Sequence, residues 1–218
     1  MRTSNHKGIS FLLILCLILT MMPLTPLMIV EAEADTITWN GTASTSLSGS
    51  GIASDPYLIQ SAADLAYMRN QVNTGGAIHG DAVTTASSAY YKQTADIVLN
   101  DGTFDVSGNF TASGAAVTSA AVAWEPIGKD TKVFKGNYDG NNKTIKGLYI
   151  NNQLDNQGLF GILDTASISG IGLIDNYVKG GANVGGIAGL VSATSTSTTS
   201  IGYCYNAGTV IGSTYVGG

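Results

Sequence analysis

The sequence predicts an all-β chain, a parallel β-solenoid of the β-helix kind, closed at its N-terminal end by one short helix. Three observations carry that expectation. Short strings recur at a nearly constant spacing toward the C-terminus. The runs between them are rich in Ile, Val and Tyr and bounded by Gly and Asn. Between Gly158 and Gly218 there is no sustained i, i+3, i+4 apolar stripe of the kind a helix needs. Gly158-Leu159-Phe160-Gly161 returns as Gly186-Ile187-Ala188-Gly189, a step of 28 residues. Ser167-Ile168 returns as Ser200-Ile201, a step of 33, and Val184-Gly185-Gly186 as Val216-Gly217-Gly218, a step of 32. The Ser/Thr run from Ala193 to Thr199 accounts for the longer steps. Periods of about 20–50 residues mark stacked repeats, each too small to bury its own apolar face. An antiparallel sandwich with Gly-rich turns is the alternative, and the near-constant period argues against it.

Taken in order, residues 1–34 read as a secretory signal. Arg2 and Lys7 supply positive charge, Ile9 to Leu19 an apolar core, and Ala32-Glu33-Ala34 a small-x-small cleavage site. Pro23 and Pro26 interrupt the uncharged stretch that would otherwise resemble a membrane anchor. Cys16 follows Leu15, which disfavours a lipoprotein signal. Removing the leader takes away Arg2, Lys7, Glu31 and Glu33, so the net charge of −5 is unchanged and Cys204 is the only cysteine left. An intrachain disulfide is then impossible, and Tyr203-Cys204-Tyr205 reads as a buried strand. A weakly acidic, sparsely charged chain has no electrostatic case for nucleic acid or for anionic membranes, and no stable membrane insertion is expected after cleavage.

Residues 35–123 are expected to form a capping region. Its helix, about 61–74, has Ser61 as N-cap with Asp64 three residues on, an apolar stripe of Leu65, Met68 and Val72, and a stop at Gly75-Gly76. Placed there, it would cover the edge of the first coil. His79, the sole histidine outside the leader, reads as a loop residue rather than a zinc ligand or catalytic base. Tyr90 to Leu99 reads as a strand, Asn100-Asp101-Gly102 as a turn, and Ser107 to Ala123 as an irregular loop.

Residues 124–218 carry the repeats. Trp124, Pro126, Ile127, Phe134, Leu148 and Ile150 are candidate core residues. Asp139-Gly140-Asn141-Asn142 reads as a tight turn between strands; its oxygens could also contribute to a calcium site, but the distal acid of an EF-hand loop is missing. Asn40, Asn109 and Asn142 each begin a glycosylation acceptor pattern. Ser192 to Ser200 reads as a loop projecting from one coil. At Gly217-Gly218 the repeat stops where the preceding one continues Ile187-Ala188-Gly189, so the protein is expected to be truncated at its C-terminus, mid-coil.

The strings GLFG, VGGIAG and IGYCYNAGTVIG resemble GLUG-motif repeats of bacterial secreted and cell-surface proteins. Trp124 to Gly128, Phe134 to Ile150 and Gly49 to Gly75 are similar to the segments that precede such repeats. The resemblance runs from about Thr36 to Gly218 and implies a β-solenoid, joined in some relatives to immunoglobulin A peptidase-like domains. It carries no catalytic residues to transfer.

Nothing in the residues points to chemistry. HExxH, GxSxG, phosphate-loop and CxxC patterns are all absent. Asp139, Asp164 and Asp175 do not recur at equivalent repeat positions, as a polysaccharide lyase would need. The sequence therefore assigns no catalytic, cofactor-binding or metal residue. It is read as a non-enzymatic, secreted or cell-surface module for adhesion, presentation or spacing, with glycans or host and cell-surface proteins as partners. Tyr149, Tyr177, Tyr203, Tyr205 and Tyr215 are candidates for the binding surface. The alternative is an N-terminal accessory module of a larger secreted hydrolase whose catalytic residues lie outside this chain.

Overall fold

The computed structural model describes residues 39–78, 85–113, 120–192 and 198–218. The leader, His79 and most of the Ser/Thr run lie outside the described residues.

Parallel strands wind into a solenoid. The first strand β1 (Tyr57–Ile59) leads into the helix α1 (Ala62–Thr74), a 3-10 turn (Ala86–Ser88), β2 (Tyr90–Gln93) and β3 (Ile97–Val98). A two-stranded antiparallel hairpin, β4 (Gly102–Phe104) and β5 (Phe110–Ala112), stands outside the winding. Three coils follow: β6 (Asn137–Lys146), β7 (Tyr149–Asn151) and β8 (Phe160–Asp164); β9 (Ser167–Lys179), β10 (Ala182–Gly185) and β11 (Ala188–Ser192); β12 (Ser200–Gly202), β13 (Tyr205–Ile211) and β14 (Thr214–Gly217). Strands of successive coils pair in parallel in the order β1-β2-β6-β9-β12. The sequence spacing is also the structural register: Phe160 lies opposite Ala188, Ser167 opposite Ser200, and Val184 opposite Val216.

In-register stacking puts like side chains in columns inside the solenoid. Tyr57, Tyr91, Tyr138, Ile168 and Ile201 form one, and its first four members are buried while Ile201 is 43% exposed. Ile97, Ile145 and Leu173 form a second, continued by Asn206. Ile127 and Phe160 pack in a third, with Phe134 over Leu163 beside it. The six candidate core residues of the repeat region are all buried. Burial pushes the Tyr91 and Tyr138 hydroxyls far above their ordinary titration range. The Tyr91 hydroxyl donates to the Ala86 carbonyl at 2.7 Å, and that of Tyr138 to Gln93 Oε1 at 3.1 Å.

Corners of the winding use left-handed residues. Asn156 and Asn183 (φ 58° and 56°) stack with an Asn183 Nδ2 to Asn156 Oδ1 hydrogen bond of 2.9 Å, and Tyr215 (φ 53°) takes the same place one coil on. Asn tolerates this conformation because its short amide bonds locally.

The helix forms for the reasons its sequence gives. Asp64 N–H donates to Ser61 Oγ at 3.2 Å, and Gln60 N–H to Asp64 Oδ2 at 3.1 Å. Gly75 ends it in the left-handed region (φ 75°). Leu65, Met68 and Val72 are fully buried in the shared core, and Asn73 fastens the helix to the repeats through Pro126 O (3.0 Å) and Gly128 N (2.8 Å).

Four expectations change. Gly140 to Asn142 is not a turn between strands. It is a bulge within β6, opposite the single residue Gly170, because parallel neighbours need a corner rather than a reversal. Tyr90 to Leu99 divides into β2 and β3. Part of the 107–123 loop is the strand β5, held by the Phe104–Phe110 ring contact at 5.0 Å. Cys204 is half-buried between β12 and β13 rather than inside a strand, with Sγ on Gly202 O at 3.2 Å.

Two substitutions test this packing. Ser61→Ala should cost about 1 kcal/mol by loss of the N-cap, read by denaturant unfolding. Gly208→Ala should cost more, because a Cβ there would stand 2.2 Å from Asn176 Oδ1 and 2.5 Å from the Asn176 carbonyl oxygen; an unchanged midpoint would contradict the packing described.

Candidate functional site

The solenoid turns three strand faces outward, and they differ. On the face formed by β3, β6, β9 and β13, the register places Asp96, Thr144, Gly172 and Tyr205 in one outward row parallel to the solenoid axis. The Asp96 carboxylate accepts the Thr144 N–H at 2.7 Å and the Thr144 hydroxyl at 3.0 Å, both on Oδ1. The Thr144 backbone N–H is the main reason its carboxyl sits below the ordinary aspartate range; slight burial opposes it, and the Thr144 hydroxyl and Lys143 assist. At the start of this face, beside β3, lies an open groove of about 480 Å³. Trp39 and Ala62 form buried walls, and exposed Asn40, Thr42, Gln60, Ser61 and Asp96 rim it. The Trp39 ring is fixed by its Nε1 donating to Thr42 O at 2.6 Å and by Trp124, whose centroid is 5.8 Å away; Arg69 lies over Trp124 at 4.7 Å.

The five candidate tyrosines separate. Tyr149 and Tyr177 are not free for a partner. The β4–β5 hairpin covers them, with Phe104 stacked on Tyr149 (5.0 Å, 2°) and 6.2 Å from Tyr177, which is buried. Tyr203, Tyr205 and Tyr215 are 95%, 54% and 82% exposed. Tyr203 and Tyr215 project from corners, whereas Tyr205 lies on the strand face. A second, smaller hollow of about 260 Å³ opens beside β12–β14, lined by Ile187, Val191, Cys204 and Asn206; the buried Asn206 Oδ1 has no partner there.

The acidic residues do not assemble. Asp139 pairs with Lys92 at 3.7 Å, Asp164 with Lys135 at 3.0 Å, Asp101 with Lys146 at 2.7 Å, and Glu125 with Lys129. Asp164 lies opposite Ser192, and Asp175 reaches the bulge opposite Gly208, so neither is repeated one coil on. Asp139 also accepts the Asn141 N–H at 2.8 Å, an internal use of the oxygens considered for calcium. Among the described residues no three His, Cys, Asp or Glu side chains are grouped to hold a metal. The glycosylation asparagines Asn40, Asn109 and Asn142 are all exposed, and Asn109 Nδ2 donates to Asp105 Oδ2 at 2.7 Å.

The Asp96 row was missed by sequence reasoning. The pairing of Asp96 with Thr144 spans 48 residues and crosses the β4–β5 hairpin, and no local motif marks it.

No family model matches the chain. It is 34% identical over 185 residues to halomucin of Haloquadratum walsbyi, covering 82% of this chain and 2% of that protein. It is 28% identical over 132 residues to a protein provisionally named a Gly-rich membrane protein in Evansella cellulosilytica, covering 60% of this chain and 12% of that one. The chain thus spans a small fraction of these relatives. Among solved structures it resembles a protein provisionally described as an immunoglobulin A1 protease of Bacteroides ovatus, with a TM-score of 0.50 and 19% identity over 75% of this chain and 41% of that one. That likeness is one of fold. Among the described residues no helix is long and apolar enough to cross a membrane.

The Asp96 contacts have a pH signature. A depressed carboxyl contributes stability that is present above the unfolded value, near pH 4, and is lost as pH falls through the lower folded value. Asp96→Asn should therefore flatten the acid limb of a stability–pH curve below about pH 4 and leave the curve near pH 7 little altered in slope. An unchanged acid limb would show that Asp96 carries none of it.

Proposed function

We propose that this chain is a non-enzymatic, exported module of the surface or adhesion type, built from GLUG-type repeats and presenting its outer faces to glycans or cell-surface proteins. The observation that carries the reading is the layout of the polar side chains. The acids are paired singly with lysines or stand apart, while hydroxyl, amide and aromatic groups are arranged in rows and along a groove. Such a surface offers contacts, and among the described residues no three His, Cys, Asp or Glu side chains are grouped. The names of the two relatives, a mucin-type name and a membrane-protein name, support a place in the cell envelope or outside it. The leader read from residues 1–34 supports export by the same route.

A second reading has its own support. The structural neighbour carries a protease description, and this chain matches 41% of it. An accessory module that positions a hydrolase on its target would use the same fold, with catalysis supplied outside these residues.

Fractionation of the source cells, with the intact mass of the product, tests the first reading. Recovery in the envelope or medium, without residues 1–34 and with no cleavage of casein or soluble polysaccharides, is expected. Cytoplasmic recovery of the uncleaved chain, or turnover abolished by one acidic substitution, would overturn it.

A further inference from the structure

The groove beside β3 and the exposed ring of Tyr205 lie on one continuous face. We propose that this face is a binding track for an uncharged oligosaccharide lying parallel to the solenoid axis. The proposal rests on the reading of the chain as a surface module and assigns that module a ligand class and a location.

Four observations combine. First, the row Asp96–Thr144–Gly172–Tyr205 crosses four strands that hydrogen-bond side by side. Neighbouring strands are about 4.8 Å apart, so the row extends roughly 14 Å, a length suited to a few linked sugar rings.

Second, Tyr205 leans back along this row. An ideal Cβ on Gly172 would stand 2.4 Å from Tyr205 Cζ and 2.5 Å from its hydroxyl oxygen. The ring therefore occupies the place of the side chain that Gly172 lacks. It remains 54% exposed although it rests on the sheet. An aromatic ring laid along a surface offers an apolar contact with a polar tip beside it, which suits the mixed apolar and hydroxyl faces of a sugar.

Third, the polar groups at the other end are hydrogen-bonding and not basic. The Asp96 carboxylate is held ionised, and the two bonds that hold it both fall on Oδ1. Its Oδ2 takes neither of those bonds, and Asp96 is itself an exposed lining residue of the groove, beside exposed Gln60 and Ser61. A carboxylate oxygen accepts hydroxyl donors strongly.

Fourth, the charge balance chooses the ligand. The groove rim has one negative side chain and no Lys or Arg. From Gly180 to Gly218, the stretch that includes Tyr205, the chain contains no charged residue. An anionic polysaccharide would meet the Asp96 carboxylate, whose charge already offsets the neighbouring Lys143, whereas a neutral one meets chiefly donors, acceptors and a ring.

The test is calorimetric titration of the protein, expressed from its full coding sequence, with hexamers of glucose, mannose and N-acetylglucosamine. At least one hexamer should bind. Tyr205→Ala should weaken that binding by at least about tenfold, as expected of an aromatic anchor. Gly172→Ala should weaken it too, because the new methyl displaces the ring while the backbone keeps its register. Tyr215→Ala, at a corner off the row, should leave the affinity within about twofold. Circular dichroism checks that each variant is folded. Binding of no hexamer, or binding indifferent to both Tyr205→Ala and Gly172→Ala, overturns the track. The surface-module reading would survive that result, since it falls on cell fractionation and turnover instead.

Discussion

The parallel hydrogen-bonded ladder between coils is the constraint on which the other features depend. Once Phe160 is opposite Ala188 and Ser167 opposite Ser200, the side-chain alternation of the strands leaves no freedom about what is inside. A slip of one residue would turn Tyr138 and Ile168 outward and bring Asn137 and Ser167 into the core. The tyrosine column from Tyr57 through Tyr91 to Tyr138, capped by Ile168, shows the cost of such a slip, since each large buried side chain contributes a few kcal/mol. The same ladder decides the outer surface. Asp96, Thr144, Gly172 and Tyr205 share a row only because Ile97, Ile145, Leu173 and Asn206 share the column beside it.

The two ends of the described winding are treated differently. At the N-terminal end α1 satisfies its own backbone, so it brings Leu65, Met68 and Val72 to the core without offering a further strand edge. In the last described coil β12 and β13 pair with β9 and β14 pairs with β10, and Ile201 and Val216 are partly exposed. Unpartnered amide atoms are not confined to this end: Asn206 Oδ1 has no partner, nor do Nδ2 and Oδ1 of buried Asn176 one coil earlier, while Asn100 bonds Val122 O and Gly147 O and accepts from the Val122 N–H.

Fold was largely legible in the sequence because in a solenoid the period and the register are one quantity. The steps of 28, 33 and 32 residues could be counted by eye and are the strand pairings. The helix was equally plain, since Ser61, Asp64 and Gly75-Gly76 are local signals with local causes. What the sequence hid was non-local. The bulge at Gly140 to Asn142 uses residues that also make hairpin turns, and only the neighbouring β9 strand distinguishes the two. Tyr149 and Tyr177 looked as available as Tyr205, and the ring that covers them, Phe104, comes from a hairpin about forty residues before the nearer of the two. Gly172 gave no sign that its missing side chain makes room for a ring one coil later.

The direction of the ladder has a mechanical consequence. In a solenoid the inter-coil hydrogen bonds point along the long axis, so a pull between the ends loads them a few at a time, one coil after another. A sideways load is instead shared across every rung of a face. Such a body yields to stretching by paying out length in increments of one coil, about thirty residues each by the spacing seen here, and resists shear as a block. A body built this way has a graded give along its length and stiffness across it.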